Sequence, residues 1–291
     1  MRRLLTTVAF AGAAVALVAP PPRASAQTWR TLTSARQVQG ERELAVDVQY
    51  AAGIFRLVPA AAGTLYRMEL RYDEEKFVPV REYDAQRGTL RLGVRGREGV
   101  RVRMSDRRRG EPPPSLDVAL SAEVPMTLAL QLGAAQADVE LGGLPLRSIT
   151  YETGASQTDL RFSSPNPLNC DALELRAGAA EFRASQLANA NCRRVSFEGG
   201  VGEVTLDFTG TWRQSMEGSV RVGIGSLTLR LPREVGVQIR LSRFLASFDR
   251  AGFTQRGNTY YSSNFESARY RLTLNVDAAI GGVDVNWVAA R

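Results

Sequence analysis

Residues 200–208 read GVGEVTLDF, and close relatives of this phrase recur in the chain as GAAQADVEL (133–141), GASQTDLRF (154–162) and GIGSLTLRL (223–231). A more divergent copy, GAAEFRASQ, occupies 178–186. The leading glycines Gly133, Gly154, Gly178, Gly200 and Gly223 are spaced by 21, 24, 22 and 23 residues. A fixed period of this size is the signature of stacked supersecondary units. A phosphate-binding loop would need a helix N-terminus after its glycines. Here an alternating segment precedes each glycine and another follows it, so the phrase reads as a corner between strands.

The alternation is read column by column. Four residues after the glycine stand Ala137, Thr158, Phe182, Val204 and Leu227, and six after it Val139, Leu160, Ala184, Leu206 and Leu229. Eight after it come Leu141, Phe162, Gln186, Phe208 and Leu231. A period of two assigns these columns to the interior and the intervening Gln136, Gln157, Glu181, Glu203 and Ser226 to water. Before the glycine, Tyr151, Leu175, Phe197 and Val220 form a further inward column. The expected fold is all-β: a β-solenoid of strand, glycine corner, strand and turn, with repeats of about 22 residues stacked in parallel.

Two details bear on the stacking. The column two residues before the glycine runs Glu152, Arg176, Glu198, Arg221. In register, alternating signs put opposite charges on neighbouring rungs. The chain's two cysteines, Cys170 and Cys192, each lie eight residues before a glycine. Rungs about 4.8 Å apart bring such equivalent positions within disulfide range.

The start of the chain, MRRLLTTVAFAGAAVALVAPPPRASA, has arginines before an apolar run and small residues at Ala24 and Ala26. That is the pattern of a signal peptide over 1–26, with cleavage between Ala26 and Gln27. No later segment reads as a transmembrane span, and an exported setting favours a structural disulfide over a reactive thiol. Residues 27–94 read as an N-terminal β region, in which LAVDVQYAAGIFRLVP (44–59) repeats the strand, corner, strand grammar in weaker form. A basic, proline-rich stretch over 95–115 reads as a linker, and 116–291 as the solenoid with C-terminal capping strands. The aromatic cluster Phe253, Tyr260, Tyr261, Phe265 and Tyr270 reads as packing within that cap.

Composition narrows the function. The formal charge is +7, with a single lysine, Lys76, among 37 basic residues. The arginines are scattered among carboxylates, which together with export argues against a nucleic-acid partner. The chain has no histidine. That removes Ser-His-Asp and Cys-His chemistry and the commonest transition-metal ligand. The carboxylates open to an enzymatic reading are Asp138, Asp159, Glu181, Glu203 and Asp207. Their pattern shows neither the defined separation nor the cleft of a glycosidase pair, and no Ca²⁺ loop spacing occurs. No catalytic, cofactor or metal site is therefore assigned.

VPMTLALQLGAAQADVELGGLPLRSITYETGASQTDLRF (124–162), SQLANANCRRVSFEGGVGEVTLDFTG (185–210) and GIGSLTLRLPREVGVQIRL (223–241) resemble the bacterial toast-rack domain. That group is related to adhesin-like β-solenoids and to the C-terminal domain of LiaF-like envelope-stress proteins. VDVQYAAGIFRLVPAAAGTLYRMELRYDEEKFVPV (46–80) resembles the region that accompanies toast-rack domains. The resemblance implies stacked strands and an envelope or extracellular setting, periplasmic or beyond, and brings no catalytic residues. The expected function is an exported, non-enzymatic scaffold or adhesin-like module binding an envelope protein or polysaccharide. A carbohydrate-active enzyme using surface carboxylates and an envelope-stress regulatory component are the alternatives.

Overall fold

The computed structural model describes residues 28–97 and 112–289. The expected signal peptide over 1–26, its expected Ala26/Gln27 cleavage site and most of the expected 95–115 linker lie outside the described residues.

Each glycine phrase lies in the second half of one long strand. These strands are β7 (Met126–Glu140), β8 (Leu146–Arg161), β9 (Cys170–Ser185), β10 (Cys192–Asp207) and β11 (Met216–Pro232). Alternation alone suggests two short strands per repeat; the hydrogen-bonded ladder instead continues through the corner. In β8, Ile149 and Tyr151 are buried before Gly154, whereas Thr158 and Leu160 are buried after it. The inward parity thus changes from odd to even. A flat strand would send those two sets to opposite faces, so the strand bends at the corner and both halves face one core. Tyr151 and Thr158 hydrogen-bond across it at 2.8 Å. Tyr151, Phe182 and Phe197 form an aromatic row with centroids 5.7 and 5.2 Å apart. Gln186 departs from its expected inward column: it is half-buried and left-handed, φ 58°, and closes β9 ahead of a 3-10 turn at Leu187–Ala190.

Close approach decides why the corner is glycine. A Cβ on Gly154 would lie 2.9 Å from the Gly133 carbonyl oxygen. On Gly178 it would lie 2.8 Å from that of Gly154, and on Gly200 2.6 Å from that of Gly178. Each carbonyl fills the space where the next rung's side chain would begin. Two residues on, Gly202 and Gly225 take φ of 142° and 140°, open to glycine at little cost. Their in-register counterparts Ala135, Ser156 and Ala180 carry side chains there.

Three more strands complete the parallel ladder: β2 (Leu44–Pro59), β12 (Gly236–Phe248) and β15 (Arg271–Val288). In space the order is β2-β7-β8-β9-β10-β11-β15-β12. The ladder therefore takes in residues 44–59, which alternation placed in a separate N-terminal region. Leu44 to Leu57 pair with Met126 to Val139, placing Gly53 beside Ala135. At the other end the chain leaves β11, forms β12, and returns to lay β15 between them. The final strand is thus a rung rather than part of the cap.

The caps are antiparallel. β13 (Phe253–Arg256) and β14 (Thr259–Ser262) form a hairpin on β12. Phe253 packs on Tyr260 and Trp287 there, with Phe248 4.7 Å from Tyr260. At the N-terminal end, β5 (Thr89–Gly96) covers the first half of β2, and β4 (Phe77–Asp84) pairs with β5. The second half is covered by β6 (Ser115–Leu120), followed outward by β3 (Thr64–Asp73) and β1 (Trp29–Gln37).

Buried asparagines stitch the return loops. The Asn166 amide donates to the carbonyls of Leu146 (2.8 Å) and Ala190 (3.0 Å) and accepts from the Leu146 and Leu168 amides. Asn189 donates to the Phe162 carbonyl at 2.7 Å and accepts from the Thr211 amide. Each side chain satisfies backbone groups that would otherwise be buried without partners.

Replacing Gly200 with alanine drives a Cβ onto the Gly178 carbonyl and should cost about 1–3 kcal/mol, the overpacking range. Gly96→Ala, where a Cβ meets nothing within 4 Å, should fall within about 0.5 kcal/mol of wild type. Urea unfolding followed by circular dichroism compares the two. Burial pushes the Tyr151 phenol up to about 12 and raises that of Tyr50 too. A raised phenol pKa favours the neutral form in the folded state. The stability it contributes is complete below the unfolded value of about 10 and is lost as pH climbs toward the folded value. Alkaline titration should show phenolate absorbance from these two of the eight tyrosines appearing last, together with loss of ellipticity.

Candidate functional site

Strand register turns each sequence column into a straight row of side chains. The charged row extends beyond its four expected members: Glu152, Arg176, Glu198, Arg221 and then Asp277 stand on five successive rungs. Arg176 reaches Glu152 at 2.5 Å and Glu198 at 3.8 Å; Arg221 reaches Glu198 at 2.9 Å and Asp277 at 3.7 Å. The hydrogen bond that Arg176 donates to Glu152 raises the Arg176 pKa further above its ordinary value. Glu152 is half-buried and the other four are exposed, so each pair is worth less than about 1 kcal/mol and weakens with salt. The row's contribution lies more in ordering charge than in stability.

Beside this row lies an open groove of about 800 Å³. Arg176, Glu198, Arg221 and Asp277 line it, together with Gly178, Gly200 and Gly223. Those glycines leave bare backbone where other columns project side chains. On the far side of the glycines in sequence is a wholly apolar column. Its first four members are alanines, from Ala52 to Ala179, followed by Val201, Ile224, Ile280 and Leu245. Val201 is 55% exposed, Ile224 50% and Leu245 65%. Sequence reasoning passed over this column because single exposed aliphatics are ordinary; only the register shows that they align.

Of the five candidate carboxylates, Asp138, Asp159 and Glu181 line one shallow groove of about 390 Å³ together with Arg56, Arg161 and Arg183, and Glu203 and Asp207 lie outside it. Asp138 and Asp159 sit on adjacent rungs of an outer face, bridged by Arg161 at 2.6 and 3.5 Å, and Arg161 also meets Glu140 at 3.7 Å. Glu181 and Glu203 are exposed neighbours on the same face, Glu181 lying 4.0 Å from Arg183. Asp207 is not a surface acid. It is buried, 3.4 Å from Arg230, and its carboxylate accepts the Thr209 amide. Among the described residues no group of three or more His, Cys, Asp or Glu could hold a metal ion. What the site offers is a linear, water-exposed array of alternating charge beside bare backbone, suited to contact along its length.

Cys170 and Cys192 face each other on adjacent rungs at the start of β9 and β10 and form a disulfide, with Cα atoms 4.1 Å apart. No helix among the described residues is long and apolar enough to cross a membrane.

Comparison with known proteins adds a family. The family described as the N-terminal domain of toast_rack, DUF2154, matches residues 25–172 and 167–230. Among solved structures, a candidate cell adhesion protein from Clostridium sporogenes is similar at 15% identity and a TM-score of 0.49, over 90% of this chain and 100% of that one. A candidate adhesin from Bacteroides fragilis is similar at 10% identity and a TM-score of 0.37, over 88% and 97%. No curated protein matches the chain.

The disulfide joins residues 22 apart in sequence. A crosslink closing a loop of that size contributes about 3 kcal/mol by restricting the unfolded chain. The Cys170→Ser/Cys192→Ser variant should lose about 2–4 kcal/mol, read as a lower urea midpoint. Reductant should shift the wild-type midpoint and leave that of the variant unchanged.

Proposed function

The chain belongs to the toast-rack family, and on that premise we propose that it is an exported, non-enzymatic binding module of the bacterial cell envelope. Its ligand is an extended envelope polymer, a polysaccharide or the exposed strand of another protein, lying along the corner groove. The observation that carries this reading is the row Glu152–Arg176–Glu198–Arg221–Asp277 beside a floor of backbone. A row repeating every two rungs offers like charges about 10 Å apart. That regularity suits a repeating, extended partner better than a compact one. Solenoid surfaces of this kind commonly serve as extended binding faces.

Export is supported by the signal-peptide pattern over 1–26 and by the disulfide, since such bonds persist in oxidising compartments. The non-enzymatic reading is supported by the missing histidine and by four of the five carboxylates lying on an open outer face, three of them beside arginine. Adhesion is the coarse role that fits such a surface.

The processed chain, immobilised and challenged with fragmented envelope polysaccharide and with solubilised envelope protein, should retain one class of polymer. Arg176→Ala/Arg221→Ala should lower that retention about tenfold or more, the effect of losing two charge contacts of about 1 kcal/mol each. Asp138→Ala/Asp159→Ala, on the other face, should leave it unchanged. Release of shortened polysaccharide during the incubation, or equal retention by both variants, overturns the reading.

A further inference from the structure

The apolar column and the charged column are ordered along the ladder in a way that binding an unrelated polymer does not require. The apolar column tapers. From the β2 end it is alanine for four rungs, then Val201, Ile224, Ile280 and Leu245. The charged column alternates strictly in its middle, between neutral residues at its ends: Gln49 and Gln131 on one side, Ser242 on the other. A surface that tapers in one direction and alternates in sign is complementary to itself when turned end for end.

We propose that this corner strip is the interface of a twofold dimer of the chain. The axis lies in the interface, parallel to the strands, and passes between β9 and β10. Such an axis reverses the ladder and keeps each column facing its own copy, the isologous arrangement that closes a pair. All eight rungs then overlap. Ala179 meets Val201 of the other copy, Ala155 meets Ile224, and Ala52 meets Leu245, so small residues face large ones throughout. In the same register Arg176 meets Glu198, Glu152 meets Arg221, and Gln131 meets Asp277. An axis through a rung would instead set Glu198 on Glu198 and Arg176 on Arg221, at a cost from like charges. The register between β9 and β10 is the one that satisfies both columns over the whole ladder.

The area sets the strength. Eight rungs span about 34 Å, and the strip between the charged and apolar columns, three residue steps, is about 10 Å wide. The pair therefore buries about 700 Å², short of the roughly 1,200 Å² of stable complexes. The dimer is of the weak, concentration-dependent class, suited to dense display on a surface. It stands without the polymer-binding reading, and because it covers the same corner strip, pairing and polymer binding exclude each other on any one copy.

Sedimentation equilibrium of the processed chain, from micromolar to millimolar, tests the pairing, and cysteine crosslinking tests the register. Wild type should show a reversible monomer–dimer equilibrium. Ile224→Arg, at an exposed position that leaves the fold and its melting temperature unchanged, should weaken dimerisation about tenfold or more. Ala155→Cys/Ile224→Cys places its two thiols three rungs apart within one chain, about 14 Å, beyond disulfide reach. Across the proposed axis they face each other, so mild oxidation should give a covalent dimer on a non-reducing gel. Ala155→Cys/Leu245→Cys, out of register by two rungs, should not. A monomer at every concentration overturns the proposal. So does a dimer indifferent to Ile224→Arg, or one that crosslinks as well in the control pair.

Discussion

A carbonyl oxygen occupying the place of a missing side chain governs this molecule. At the corner, the backbone of one rung approaches the next so closely that Gly154, Gly178, Gly200 and Gly223 have no space for a Cβ. That contact lets a strand of 15 to 17 residues bend while its hydrogen-bonded ladder runs on. With the bend in place, the residues on either side of the corner face each other. Tyr151 then reaches Thr158, and the aromatic row of Tyr151, Phe182 and Phe197 fills the space between the two halves. Neither half-strand could bury its apolar face alone.

Strict register is the second consequence. Because every rung turns at the same point, residues equivalent in sequence become neighbours in space, and chemistry accumulates in rows. The cysteines meet, the charges of alternate rungs interleave, and the exposed aliphatics line up. The asparagines of the return loops extend the same logic to the less regular side of the coil, where Asn166 holds the start of β8 to the loop before β10. A row of weak, exposed ion pairs adds little to stability. It does present a partner with an ordered pattern, and that pattern carries both the proposed ligand groove and the proposed self-pairing.

The ends of the ladder show where reading by period stops. Residues 44–59 carry the corner as Ala-Ala-Gly in a less regular phrase, and they form a full rung on β7. The last strand, β15, has its own corner at Gly281 and lies between β11 and β12 instead of beyond them. Both ends of the ladder are thereby covered: the hairpin of β13 and β14 shields β12, while β5 and β6 divide the two halves of β2 between them. Such coverage blunts the open edges that a parallel ladder would otherwise present. Asp207 departs from the outward parity of its strand for a related reason. At the end of β10 the strict alternation gives way, with Leu206, Asp207 and Phe208 buried in succession, and the acid turns inward to Arg230 and the Thr209 amide.

The sequence by itself determined the all-β class, the corner positions, most of the inward columns and the pairing of Cys170 with Cys192. These follow from the period of two within a strand and the period near 22 between rungs, both of which survive in a linear string. Tertiary structure alone decided which rungs are neighbours where chain order and spatial order part, as with β15. It also decided that Val201, Ile224, Ile280 and Leu245 form one exposed row. Alternation specifies which way a side chain points; it says nothing of which distant strand supplies the hydrogen-bonding partner. That choice is made by long-range packing, and the surface on which this protein's function rests depends on it.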